Sequence, residues 1–533
     1  MTTNTDKTRI AAIYNPQNQT KTQLIESFVV RQKLFHKLFT AIKEAKMEVP
    51  EQHYLIQGRR GMGKTTLLLR IAYEIENDPV LNSWLIPVIF NEEEYGIRRL
   101  FKLWERIMEL LEQRNPEFNF EQAERLKLSK QSEDDNTYER ALFEHLSAEL
   151  NRTGKKIILF IDNFGEMARK LSDEEAHRLR KILQTSPDIR IIAASAVVLE
   201  SFYRYDHPFY EFFRVEELKG LDKKETRDLL LNLSEHYKKE TVAHIVEQFP
   251  GRVEALRRIT GGVIRTIVLL FEIFADDDDG SAFKDLEIIL DRVTPLYKHR
   301  MDDLSDQQQA IVEAIALNWD ALSVKEIAEQ TRLESKIISA QLQNLEKNGI
   351  VLKVYTKTKN HYYIIAERFF NIWFLMRNGR RNDEKRVRWL VQFLEEWCDE
   401  KLIENHPNKY EISSTSRNTA QEPSLLPISA KQLPERKTQA LSFLTNAEFL
   451  DKEPEHTSTY LILMLAKGEK QWFFDLFNSP EGEAIQLKDR FKPIYYAVLK
   501  SMDHPDYLRM GDELTLTVDE ILARAAQMAV DYA

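Results

Sequence analysis

Only one cysteine, Cys398, occurs in the 533 residues, which excludes an internal disulfide framework and any cysteine-rich zinc site and agrees with a reducing compartment. Glycine and proline are scarce, at 16 and 17, so a mostly helical chain without long disordered tracts is expected. No apolar run reaches the roughly 20 residues of a membrane span, and the polar stretch Met1 to Arg9 lacks the apolar centre of a signal peptide. A cytoplasmic location with no membrane partner is therefore expected. Excess positive charge is missing as well. The formal net charge is -10, so no global field draws the chain onto nucleic acid, and any such binding has to come from a local patch. The 12 histidines show no paired ligand spacing, and no metal is expected beyond one that accompanies a nucleotide.

The chain is too long for one hydrophobic core, since single cores stop growing near roughly 250 to 300 residues. A helical pattern at 22–45 precedes the short apolar run Tyr54 to Ile56, a glycine-rich turn and a second helix from Lys64 onward. Further short, β-branched apolar runs at 84–90, 157–161 and 189–194 read as strands, the last following a helical stretch at 173–183. Strands alternating with helices predict an α/β core with a parallel sheet in three layers.

The turn carries the clearest chemistry. Gly58-Arg59-Arg60-Gly61-Met62-Gly63-Lys64-Thr65-Thr66 satisfies the G-x-x-x-x-G-K-[ST] pattern directly after a strand and before a helix. Glycines let backbone N–H groups turn inward around a phosphate, and the helix N-terminus adds about half a positive charge. Lys64 is expected to bridge the β- and γ-phosphates of ATP, and the Thr65 hydroxyl to coordinate Mg2+. A P-loop also needs an acidic residue at the end of a buried strand. Asp162, after five apolar residues, fills that role, making Thr65 and Asp162 the expected metal ligands. Asn163 follows where many ATPases place a glutamate that polarises the attacking water. Glu166 is the nearest replacement, although a glutamate there is equally at home in solvent.

With these residues in place, the stretch 15–377 resembles the AAA+-related STAND group of P-loop ATPases, especially the archaeal-type and origin-recognition initiator ATPases. Tyr14-Asn15-Pro16 and Phe28 to Arg31 are similar to the segment that closes over the base. By the same resemblance, Ser195 at the end of Ile191 to Ser195 is the sensor 1 residue near the γ-phosphate, and Arg214 ahead of the last core strand is a candidate arginine finger. Arg265, in Thr260 to Arg265, corresponds to the sensor 2 arginine, with Ile264 where the family has proline. The implied domains are a closing segment at 1–50, an ATPase core at 51–220 and a helical lid at 221–296 that includes a solvated acidic turn at 276–280.

From 297 to 376 the pattern is three helices followed by two strands, at 350–355 and 361–365, the order of a winged helix. Between Lys325 and Lys359 there are seven Lys or Arg against four Glu, a local +3 in an acidic chain. Lys353, Lys357 and Lys359 are candidate phosphate contacts to duplex DNA, and the Arg380 to Arg388 patch, on a helical extension at 377–412, is a second candidate. A Ser, Thr, Pro and Gln-rich linker at 413–437 leads to an all-α region at 438–533, a candidate surface for a protein partner or self-association. Two functions stay open: a slow ATP-dependent switch that couples nucleotide state to engagement of DNA or a partner protein through the winged helix and the C-terminal helices, and a signalling or defence scaffold in which the winged helix is an intramolecular clamp and DNA is not bound.

Overall fold

The computed structural model describes residues 19–90, 97–120, 134–196, 208–276, 280–399 and 454–531, with Leu444 and Leu450 as isolated positions. Tyr14-Asn15-Pro16, the centre of the acidic turn at 276–280 and the linker 413–437 lie outside the described residues. The chain divides into two compact units, Met1–Gly220 with Val263–Val268, and Leu221–Gly262 with Leu269–Ala533.

The first unit is built on five parallel strands, β1 (Tyr54–Gln57), β2 (Leu85–Ile89), β3 (Lys156–Ile161), β4 (Ile189–Ser195) and β5 (Arg214–Glu217), in the order β2-β3-β4-β1-β5. Alternation along β3 divides its side chains between two cores. Ile157, Leu159 and Ile161 pack with Trp104, Leu146 and Leu179, while Ile158 and Phe160 pack with Leu38, Leu68 and Ile71. Helices therefore cover both faces, which is why these strands read as continuous apolar runs rather than alternating ones. β1 lies between β4 and β5: the chain leaves it for β2 at one edge of the sheet and later passes it from β4 to β5 at the other. The crevice beyond the carboxyl end of such a strand is where ligands of open α/β sheets bind.

The helix expected at 22–45 is two helices, Lys21–Ser27 and Gln32–Lys43. Apolar periodicity runs through both, which hid the break. Thr20 caps the first through a reciprocal box with Gln23, and Arg31, at φ 65°, reorients the chain before the second.

The second unit holds the helices Lys223–Tyr237, Glu240–Gln248, Pro250–Thr260 and Ala282–Asp302, then Asp306–Asn318, Val324–Thr331 and Ser335–Lys347 with a three-stranded antiparallel sheet. Its strands are β6 (Leu322–Ser323), β7 (Val351–Val354) and β8 (Tyr362–Ile365), in the order β6-β8-β7. Ser323 accepts from the Glu326 amide while the Glu326 carboxylate accepts from Ser323 N–H at 2.8 Å, so one short motif ends β6 and starts a helix. Helices Arg368–Asn378 and Arg381–Cys398 follow, and the C-terminal stretch ends in the 20-residue helix Asp512–Asp531.

Ion pairs with at least one buried partner fasten that stretch to the rest of the unit. Glu513 accepts from Arg368 Nε at 2.8 Å and Nη2 at 3.0 Å, and from Trp319 Nε1 at 2.8 Å. Arg258 donates to both oxygens of Glu520 at 2.8 Å and to Thr517 at 2.7 Å, and Trp397 donates to Glu520 at 2.8 Å. Lys492, itself buried, pairs with Asp320 at 2.8 Å. Burial pushes the nearby Cys398 thiol up to about 12, leaving it inert as a nucleophile near neutral pH.

Candidate nucleotide site

The glycine-rich loop leaves β1 at Gln57 and enters the helix Lys64–Asn77. Gly61 and Gly63 both adopt φ 82°, a left-handed conformation that side chains other than glycine resist. Gly63 is the N-cap, so the first amides of a 14-residue helix open into the loop. Met62 points the other way, into the core between the sheet and this helix, and anchors the tip. Arg59 and Arg60 are exposed, and Thr66 is half-buried as the third residue of the helix.

Lys64 is buried, and its ammonium donates to the carbonyls of Gly58 at 2.8 Å and Arg59 at 2.9 Å, which holds the charge within the turn of the loop. One residue on, the Thr65 hydroxyl donates to Asp162 Oδ2. Asp162 directly follows β3 and is itself buried, and its Oδ1 accepts the Asn163 amide at 2.9 Å. Residues 97 apart in sequence thus meet, because β1 and β3 run parallel with β4 between them. Asn163 sits at φ 53° and caps the short helix Phe164–Lys170, a conformation asparagine tolerates better than most residues.

Ser195 is buried at the end of β4 opposite Gln57, and its carbonyl accepts the Gly58 amide at 3.1 Å. Arg265 is at the loop as well. Its amide donates to the Gly61 carbonyl at 3.2 Å, and a methyl group on Gly61 would meet Arg265 Cβ at 3.0 Å. Ile264, where the resembled family has proline, brings Cδ1 to 2.9 Å from the position of a Gly63 methyl, so it fills the same wall with an aliphatic side chain.

Two expected residues are not drawn into this cluster. Glu166 is exposed and pairs with Arg169 at 3.3 Å. Arg214 begins β5 opposite Tyr54, three residues and about 10 Å upstream of the strand end that feeds the loop. Its exposed guanidinium lies 3.4 Å from Glu216. Leu218 was not singled out from sequence, yet its amide donates to the Gln57 carbonyl at 2.7 Å and its Cβ sits 2.9 Å from where Gly58 would carry a methyl. The only sequence signal for it is its place one residue past β5, in register with Gly58.

The basic patch at 380–388 is not a continuous surface. Arg386 is turned inward, bonded to Asp489 at 2.9 Å and Asp383 at 3.2 Å, while Arg388 pairs with Glu384 at 3.2 Å. Helical periodicity is the reason: Arg386 lies four and seven residues before the buried Leu390 and Phe393 and shares their face of the helix. Lys353 is half-buried, and Lys357 and Lys359 are exposed.

A parallel sheet feeding a glycine loop, with a buried lysine, a threonine and a strand-end aspartate converging beyond it, defines a P-loop nucleoside triphosphate hydrolase. Residues 27–198 match the AAA ATPase domain family, so the first unit carries an AAA+ ATPase domain. Solved structures similar to the chain include the Walker-type ATPase PABY2304 of Pyrococcus abyssi, 17% identical with a TM-score of 0.45, covering 64% of this chain and 95% of that one. The ORC1 protein of Aeropyrum pernix in complex with DNA is 15% identical with a TM-score of 0.38, covering 70% and 94%. Cdc6p from Pyrobaculum aerophilum is 14% identical with a TM-score of 0.33, covering 69% and 94%. Identities this low say nothing of ligands. No curated protein matches the chain. No helix among the described residues is long and apolar enough to cross a membrane.

Proposed function

We propose that this protein is a slowly hydrolysing ATP switch of the AAA+/STAND type whose nucleotide state governs engagement of duplex DNA. The convergence of Lys64, Thr65, Asp162 and Arg265 on one loop carries the nucleotide part of that reading. Lys64 and the loop amides bind the β- and γ-phosphates, and Arg265 faces the same anion. The Thr65 hydroxyl and the Asp162 carboxylate are hard oxygens already in contact, a donor pair suited to magnesium. When bound, the ion offsets the charge of the phosphate oxygens.

Asn163 orients water but accepts no proton, so general-base assistance, worth roughly 10² to 10⁴-fold, is missing from the position next to Asp162. Glu166 is held by Arg169 at the surface and supplies it only after leaving that partner. Arg214 stands at the start of β5, remote from the strand end that feeds its own loop, which suits action on the nucleotide of a second copy. Turnover is then slow in isolation and rises with protein concentration. Steady-state phosphate release for wild type, Glu166→Gln and Arg214→Ala tests this, and fast, concentration-independent turnover unaffected by either substitution overturns it.

For DNA, the reading rests on the helix Ser335–Lys347 and the β7–β8 hairpin as a winged helix. Lys336, Ser339, Gln343, Asn344 and Lys347 form an exposed polar face of that helix, and Lys357 and Lys359 stand at the hairpin tip. Such a face fits a major groove, with the lysines on phosphate. The scaffold reading has its own support in the opposite side of this region, where Trp319, Asp320, Glu326 and Arg368 are bonded to C-terminal residues. Duplex binding that weakens steeply with salt, and loses up to roughly three units of salt slope on alanine substitution of Lys353, Lys357 and Lys359, supports the DNA switch. No binding to duplex at about 50 mM salt, with or without ATP, favours the scaffold.

A further inference from the structure

The hairpin tip carries a feature that phosphate binding does not need. Tyr355 is 69% exposed, although it is a large aromatic residue on an ordered tip. Lys353, two residues back on β7, holds its ammonium 5.1 Å from the ring centroid, while the His361 ring meets it edge-on at 5.1 Å. The ring is thus oriented rather than free to rotate away.

The tip beyond it is braced by its own side chains. Thr356 Oγ1 donates to the Asn360 carbonyl at 2.8 Å and accepts the Thr358 amide at 3.2 Å. Thr358 Oγ1 accepts the Asn360 amide at 3.2 Å, and the Thr356 amide donates to His361 Nδ1 at 3.3 Å. Between Val351 and Ile365 there are three lysines and no carboxylate. An exposed, fixed aromatic ring within a purely cationic tip matches a polyanion that also offers flat apolar surface.

We infer that Tyr355 is a base-stacking residue, and that the tip favours DNA in which a base is unpaired or partly unstacked over a perfect duplex. The inference deepens the DNA reading and rests on it. Lys353, Lys357 and Lys359 hold the backbone, and the Tyr355 ring covers the face of a base that has left the helix. In an intact duplex those faces are taken by neighbouring bases, so the ring gains little there.

The experiment measures binding of the full chain, by fluorescence anisotropy at one salt concentration, to a labelled blunt duplex and to the same duplex with a short central bubble. Wild type binds the bubble roughly 5- to 150-fold more tightly, the range set by stacking of one base on an aromatic side chain. Tyr355→Ala brings that ratio near one while leaving blunt-duplex affinity within about twofold, and Tyr355→Phe keeps the preference because the ring is retained. A wild-type ratio near one, or an undiminished ratio in Tyr355→Ala, overturns the inference while leaving duplex binding in place. Failure of wild type to bind either DNA removes the underlying DNA reading and the inference with it.

Discussion

Removing Glu513 exposes how far the second unit depends on its C-terminal helix. The carboxylate accepts three hydrogen bonds, two from Arg368 and one from Trp319. Burial works to raise its pKa, but the Arg368 guanidinium and the Trp319 N–H outweigh that and hold it below the ordinary carboxylate range. Glu513→Ala strands the Arg368 charge in a site with only 6% exposure, although Arg368 keeps the Asn371 side chain and the Trp319 carbonyl as acceptors. Breaking a buried pair in this way costs about 3 to 5 kcal/mol. Replacing both partners by apolar residues, Arg368→Met with Glu513→Leu, removes the stranded charge and recovers at least about 2 kcal/mol of the summed single losses. Urea unfolding of the full chain followed by tryptophan fluorescence reads this directly, since Trp319, Trp373, Trp389, Trp397 and Trp472 belong to the second unit and only Trp84 and Trp104 to the first. The depressed carboxyl binds protons more weakly folded than unfolded. Its stabilisation is therefore present above about pH 4.5, the unfolded value, and fades as pH falls below it toward the folded one. A loss under about 1 kcal/mol for Glu513→Ala, or a double variant as unstable as the sum of the singles, refutes the stranded-charge argument.

His53 gives a second acid-sensitive contact, in the first unit: its Nδ1 accepts the Ile191 amide at 3.1 Å and its Nε2 donates to the Leu183 carbonyl at 3.1 Å, so the buried ring is neutral. Burial lowers its pKa from 6.5 to about 4, so the unfolded chain takes up the proton first, and stability is expected to drop by about 3 kcal/mol as pH falls from 6.5 to 4. Thermal melts of wild type and His53→Gln check this, and parallel pH profiles contradict it. Gly63→Ala places a methyl at φ 82° and is expected to cost about 1 to 2 kcal/mol and weaken nucleotide binding, while wild-type melting and affinity would show that the loop does not need the left-handed turn.

The α/β core was legible in sequence because two independent signals coincide there: β-branched runs of strand length, and a loop whose glycines, lysine and threonine have fixed spacing. Asp162 could be placed because a carboxylate after five apolar residues has few other reasons to end a buried strand. Other features were not legible because their partners are remote in sequence. Leu218 acts on Gly58 through strand register, and nothing local to Glu513 or Glu520 names Arg368 or Arg258, 145 and 262 residues away. Arg386 was misplaced because a run of cations looks like a solvated face until helical phase is fixed against a neighbour such as Asp489. The break at Phe28 to Arg31 was hidden because apolar periodicity continues across it.

The claim on which the rest depends is that the loop at Gly58 to Thr65 binds ATP through Lys64. Calorimetric titration of ATP with magnesium into wild type and Lys64→Ala tests it most directly. Loss of one charge-assisted contact to the phosphates is expected to weaken binding by at least about tenfold, with the fold intact by circular dichroism. Equal affinity in the two proteins would contradict the site and every function built on it.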